Sequence, residues 1–269
     1  MRVDNLPLDN RYALFFDFLG TSEAAITWPR ERIYQVVDLL ISIAQSQCAE
    51  DISGNAQPDG SYRILIKPEI TTFSDNVVLS YRDPEYPDDA PSEERPNDAA
   101  LDSLKRWWAG MVCADASRIL ASVAEQALRI GVLIRGGLSW GQLYHQSGVV
   151  FGEAMVDAYR LENGVAHTPR VVVSERVIRK LRERPESVTA LHQDSDGVWC
   201  LDYLPRMVEL ATAHLYSRNE QAIAWKRQHL KTIDATIEEL SRNVVTAKQL
   251  AKWQSFKQRF VAATARIEY

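Results

Sequence analysis

Residues 12–19, Tyr-Ala-Leu-Phe-Phe-Asp-Phe-Leu, constrain the fold more than any other stretch of this chain. Apolar side chains stand at both odd and even positions, so neither face of an extended segment would be wet. Such a run reads as a buried strand at the centre of a sheet. It also carries one charge, Asp17. Burying an ionised carboxylate without a partner costs on the order of several kcal/mol. The turn Gly-Thr-Ser (20–22) follows at once, which places Asp17 at the strand's end. There it can face a cation, or simply cap the turn.

The flanking pattern builds a sheet around this strand. Pro29 opens a helix over about 30–47, with Ile33, Val36, Val37, Leu40, Ile41 and Ala44 on one predicted face. Two apolar runs follow, 62–66 and 70–73, separated by Pro68. Ser-Asp-Asn (74–76) is a turn signal, and 77–81 is a further strand. Residues 62–81 therefore read as a hairpin with Asp75 near its tip. A long helix is expected over 99–130. The glycine-punctuated run 131–152 reads as strand, 153–163 as a short helix, 169–174 as strand, 175–184 as helix and 198–204 as strand. No Gly or Pro occurs after Pro205, and apolar residues recur there at helical spacing. That predicts a tail of two helices broken near Asn243. The chain thus divides into a domain over 1–204 and a helical tail over 205–269. The order β-α-β-β-α-β across 12–173 is that of an α+β, ferredoxin-like (split βαβ) sheet.

Composition narrows the chemistry. The 269 residues carry a net charge of −5, unevenly placed. From 207 to 269 there are ten Lys and Arg against six Asp and Glu, which leaves −9 on residues 1–206. A body this acidic is a poor general nucleic-acid binder. It argues equally against a polymerase-type palm, which would need a basic template channel. Cys48, Cys113 and Cys200 form no CxxC pair, which fits a reducing cytosol and no structural zinc. No signal core or membrane span is visible, so a soluble, cytoplasmic protein is expected. The histidines His145, His167 and His192 share no metal-ligand spacing. Residues 82–98 read as a solvated acidic loop, and the tryptophans, Arg-Trp-Trp (106–108) included, as helix packing. The tail is expected to brace a dimer or cover the sheet.

The candidate site is a constellation rather than one motif. In a split βαβ sheet the first strand lies beside the hairpin, so Asp17 and Asp75 meet at one sheet end. Two converging carboxylates suit Mg²⁺ or Mn²⁺, which prefer oxygen ligands. A pair of such ions can activate a hydroxyl and steady a departing phosphate. Backbone N–H groups at Gly20 and Thr21 could approach phosphate oxygens. Arg135, within Arg-Gly-Gly-Leu-Ser-Trp-Gly (135–141), and Arg160, within 151–162, read as two half-buried cations suited to a triphosphate.

Four stretches together resemble the class III nucleotidyl cyclases: FFDFLG, TTFSD, RGGLSWG and FG…AYRLE, spread over about residues 12–174. The resemblance implies that Asp17, Asp75 and the carbonyl of Phe18 hold two Mn²⁺ or Mg²⁺ ions. It implies that Arg135 contacts the terminal phosphates and that Arg160 stabilises charge on the α-phosphate. It further implies a head-to-tail homodimer, with metals and Arg135 from one protomer and the base pocket and Arg160 from the other. The family's purine-reading positions fall on Thr71 and Val149, and its ribose-orienting Asn on Val156. No late-strand Lys is found in 198–204. Losing the base readers while keeping carboxylates and arginines resembles the bacterial pyrimidine cyclases of anti-phage defence. Their cyclic UMP or cyclic CMP activates a separate effector protein. The expectation is a uridylate cyclase; a cytidylate or purine cyclase, or a cyclase-like module that binds nucleotide without reaction, stays open.

Overall fold

The computed structural model describes residues 8–21, 27–45, 67–83, 97–181, 188–212, 219–242 and 247–265. The strand expected at 62–66 and most of the acidic loop lie outside these residues.

One eight-stranded sheet organises the described chain. Strand β1 (Asp9–Leu19) is followed by helix α1 (Arg30–Gln45) and the hairpin β2 (Glu69–Phe73) and β3 (Asn76–Arg82). Helix α2 (Asp98–Arg129) leads to β4 (Leu133–Gln146), β5 (Val149–Gly152) and α3 (Glu153–Gly164). Then come β6 (Val171–Val173), α4 (Glu175–Leu181), β7 (Leu191–Gln193) and β8 (Trp199–Leu201). The strand order is β2-β3-β1-β4-β6-β8-β7, with β5 paired to β4. Its first four strands are antiparallel neighbours in the split βαβ arrangement, and β4 pairs with β6 in parallel. Strand β7 was not expected from the sequence. At three residues it is too short for alternation to register.

β1 is central, as its apolar run demands, and its alternate side chains enter different layers. Tyr12, Leu14, Phe16 and Phe18 join the main core with α1 and α2. Ala13 and Phe15 face the other way, toward α3. Helix α2 starts on Asn97, whose side chain accepts the Ala100 N–H at 2.9 Å. Its buried stripe is rich in small residues, Ala109, Ala116, Ala121, Ala124 and Ala127 among them, which lets it lie close to the sheet.

Three expectations need correction. Helix α1 buries Val36, Leu39 and Ile43, while Val37 and Ile41 are exposed; the apolar stripe is broad, and packing chose its other edge. The tail is three helices, α5 (Tyr203–Thr212), α6 (Asn219–Ser241) and α7 (Ala247–Thr264). Met207, Ile233, Trp253, Phe256 and Phe260 from these helices enter the main core, so the tail packs on the helical layer. Trp107 is exposed rather than packed, whereas Trp108 donates its indole N–H to the Arg82 carbonyl at 2.8 Å. Among the described residues no helix is long and apolar enough to cross a membrane.

A candidate active site at the end of strand β1

The β2–β3 turn is only two residues, Ser74 and Asp75, between the paired residues Phe73 and Asn76. Ser74 takes φ +54°, a conformation that side chains rarely adopt and that closes so tight a turn. Asn76 pairs with Asp17, and Asp17 pairs on its other side with Arg135. Cross-strand partners share a face, so three chemistry-bearing segments meet on the α3 side of the sheet.

The contacts there are short and rich in oxygen. The Phe18 N–H donates to the Asp75 carbonyl at 3.2 Å, tying β1 to the turn. Gly20 leaves the strand at φ +91°, the left-handed region that glycine enters without cost, and returns the chain so that Thr21 is buried. Thr21 Oγ1 lies 2.6 Å from the Phe18 carbonyl and 2.5 Å from Asp75 Oδ2. A hydroxyl owns one proton and cannot satisfy two acceptors. Asn76 donates to the other Asp75 oxygen at 3.1 Å. Asp17 Oδ1 is buried and accepts no hydrogen bond.

Arg135 lies between two carboxylates. Its Nη2 is 3.5 Å from Asp17 Oδ2 and in direct contact with Glu162. One guanidinium facing two buried acids leaves a negative charge uncompensated. Burial, reinforced by Asp75, raises Asp17 above the ordinary carboxylate range against the pull of Arg135. Burial and then Asp17 push Glu162 up to about 7. Lys252, on α7, belongs to the same field; burial and the charge of Arg135 draw it below the usual lysine value. The tail thereby contributes a cation near the site.

Glu162 escaped the sequence reading, although a signal was present. It is the third of a buried stripe Ala154, Ala158, Glu162 at helical spacing on α3. Gly137 lets this helix approach: a Cβ there would run into the Ala158 carbonyl oxygen. With Ala158 over Gly137, the next turn of α3 brings Glu162 to Arg135.

Thr71 and Val149 belong to a second group on the same sheet. Thr71 Oγ1 is 2.9 Å from His145 Nε2, and His145 pairs with Val150, next to Val149. Val149 and Phe151 are exposed. Arg160 is not half-buried as expected: its side chain is 74% exposed, and its ion-pair partner among the described residues is Asp157 at 3.7 Å. It projects from α3 beside the exposed Val156 and Tyr159, the latter stacked edge-on to Phe15 at 5.7 Å. The structure thus joins Asp17, Phe18, Thr21, Asp75 and Arg135, and holds Thr71, Val149 and Arg160 apart from them.

A further cluster was not anticipated. His192, Asp194 and Cys200 bring their ligand atoms within 4.8 Å of one another and are able to coordinate a metal ion. Spacing could not reveal it, because β7 and β8 must pair first. Arg170 already meets Asp194 at 2.9 Å and Asp196 at 2.8 Å, and burial pushes the Cys200 thiol up to about 12. Thiolate formation there would require a cation to displace a proton.

No family model matches the chain, and no curated protein matches it. Among solved structures, one described as a bacterial light-regulated adenylyl cyclase is similar at 16% identity with a TM-score of 0.37. The match covers 73% of this chain and 51% of that one, so the chain spans about half the length of the structure it matches. A likeness of this size carries no argument about family or activity.

Proposed function

We propose that the chain is a nucleotidyl cyclase that converts a pyrimidine nucleoside triphosphate, UTP before CTP, to its 3′,5′-cyclic nucleotide and pyrophosphate. The carrying observation is the oxygen-rich corner of Asp17, Asp75, the Phe18 carbonyl and Thr21. It has an orphaned buried carboxylate oxygen and a hydroxyl short of one proton, and both deficits suit hard cations. Asp17, Asp75 and the Phe18 carbonyl would hold two Mn²⁺ or Mg²⁺ ions. When bound, such ions acidify a ribose 3′-hydroxyl and neutralise charge on departing pyrophosphate.

The chain's own residues then have distinct tasks. Arg135 would contact the terminal phosphates, with Glu162 anchoring its guanidinium. Arg160 stabilises charge on the α-phosphate, and Thr71 and Val149 border the base. Because Arg160 points outward from the Asp17 corner, a complete site in this reading takes two chains, head to tail. The exposed Val156 and Tyr159 beside Arg160, with Phe73, Val149 and Phe151 also exposed, suit burial against a second copy. The reaction would occur in the cytoplasm, its product serving as a second messenger in antiviral defence through a separate effector.

A second reading is favoured by one contact. Arg135 already lies across Asp17, where a cation would bind, and a nucleotide-binding module without turnover needs no metal there. Incubating the protein with MnCl₂ and ATP, GTP, CTP or UTP separately, with products read by mass spectrometry, decides between them. A cyclic pyrimidine nucleotide supports the cyclase. Bound nucleotide with neither cyclic product nor pyrophosphate supports the module.

A further inference from the structure

A chain of polar side chains runs through the sheet behind Thr71, and its first member can only donate. Arg11 is 1% exposed and held by Asp9 at 3.1 Å and Glu69 at 3.0 Å. Its Nη1 donates to Ser80 Oγ at 3.2 Å. Ser80, also 1% exposed, has a second contact at 2.8 Å, to His145 Nδ1. His145 is buried, and its Nε2 reaches Thr71 Oγ1 at 2.9 Å. A guanidinium has no acceptor, so Ser80 receives from Arg11 and keeps its own proton to place. Among the described residues the acceptor that meets it is His145 Nδ1. A buried hydroxyl proton left unplaced is unfavourable, because its lost hydration is not replaced.

The remaining steps follow from proton counting. With Nδ1 accepting, neutral imidazole carries its proton on Nε2 and donates it to Thr71. Burial, aided by the charge of Arg11, pushes His145 down to about 4, so the ring stays neutral near pH 7. Thr71 then accepts from within and retains its own proton for whatever lies outside. The opposite tautomer would consume that proton and leave Thr71 able only to accept.

We infer that His145 is a positioning residue that sets Thr71 as a hydrogen-bond donor, so that the site prefers a base with a carbonyl at that edge, uracil, over one with an amino group, cytosine. This rests on the cyclase reading. An amino edge would leave the Thr71 proton without an acceptor once water is excluded, a penalty that translates to roughly 10- to 100-fold in relative kcat/KM.

Two measurements on the full chain test it. Long-range proton–nitrogen NMR of protein labelled at histidine reports each tautomer, with the His145 signal assigned by its loss in His145→Gln. Nε2–H is expected; Nδ1–H overturns the inference whatever the activity. Relative kcat/KM for UTP and CTP is then compared in the native chain, Thr71→Val and Ser80→Ala, each checked for an unchanged melting temperature. The native chain should favour UTP by at least about tenfold. Thr71→Val should erase most of that preference, chiefly through UTP, and Ser80→Ala should weaken it by freeing the tautomer. An unchanged ratio in Thr71→Val overturns the base-reading role. Failure of the cyclase reading looks different: no cyclic product from any triphosphate, with the Nε2–H tautomer still present. That result removes the base-reading role together with the reading on which it rests.

Discussion

The two faces of one sheet follow opposite rules. Toward α1 and α2, β1 sends Tyr12, Leu14, Phe16 and Phe18 into a core completed by the tail, and the packing is mainly apolar, although the Tyr12 and Tyr203 hydroxyls lack a partner among the described residues. Toward α3 the same strand sends Arg11, Ala13, Phe15 and Asp17, and the polar atoms are imperfectly served. Asp17 Oδ1, Arg135 Nε and Arg11 Nε have no hydrogen-bond partner there. A fold gains nothing from an unsatisfied buried polar atom, which costs about 1–3 kcal/mol. The helical face carries most of the apolar burial, and the α3 face gathers the buried charges of Asp17, Arg135 and Arg11.

That contrast can be broken or sharpened by substitution. The largest effect is expected at Asp17 and Asp75. Either residue changed to Ala should abolish cyclic-nucleotide formation; in Asp17→Ala the circular-dichroism melt should stay at or above that of the native chain, since a carboxylate with an unpaired buried oxygen is removed. Loss of folding in Asp17→Ala would mean that the corner is structural. Arg160→Ala should lower kcat by roughly 10²–10³, the usual cost of losing one charge-stabilising donor. At an exposed position its melting temperature should hardly move. Full activity in that variant would remove Arg160 from the site.

The helical face should respond in the opposite sense. Leu120 is fully buried in α2, so Leu120→Ala should cost about 2–5 kcal/mol in urea unfolding. Activity per folded molecule should be retained. A smaller, graded effect belongs to His145. Its folded value lies near 4, below that of an unfolded histidine, so the unfolded chain binds the extra proton between the two. Stability should therefore be complete above about pH 6.5 and be lost as pH falls toward 4. His145→Gln should flatten that part of the melting-temperature profile, and an unchanged profile would mean that the ring is already solvated.

Much of this was legible in residue order. The apolar run of 12–19 read as a central strand, the Ser-Asp-Asn turn as the close of a hairpin, and the two together placed Asp17 and Asp75 at one sheet end. The glycines of 135–141 read only as punctuation of a strand, and it took the structure to put Gly137 beneath Ala158. Less was legible wherever a side chain's neighbour comes from a distant segment. Arg135 looked free for phosphate until Glu162 arrived on α3, and Arg160 looked half-buried until α3 turned it outward. Helix α1 was read with Val37 and Ile41 inside because a broad apolar stripe has two defensible edges.

The division has a physical cause. Period and turn chemistry act over a few residues, so the sequence alone determined most of the described strands, the β2–β3 turn, the central place of β1 and the placing of two carboxylates at one sheet end. Proton placement and ion pairing act between residues whose separation in the chain can exceed 60 positions, as with Arg11 and Ser80 or Ser80 and His145. Only the tertiary structure could decide that Arg135 rests between Asp17 and Glu162, that Lys252 joins their field, and that His145 stands behind Thr71.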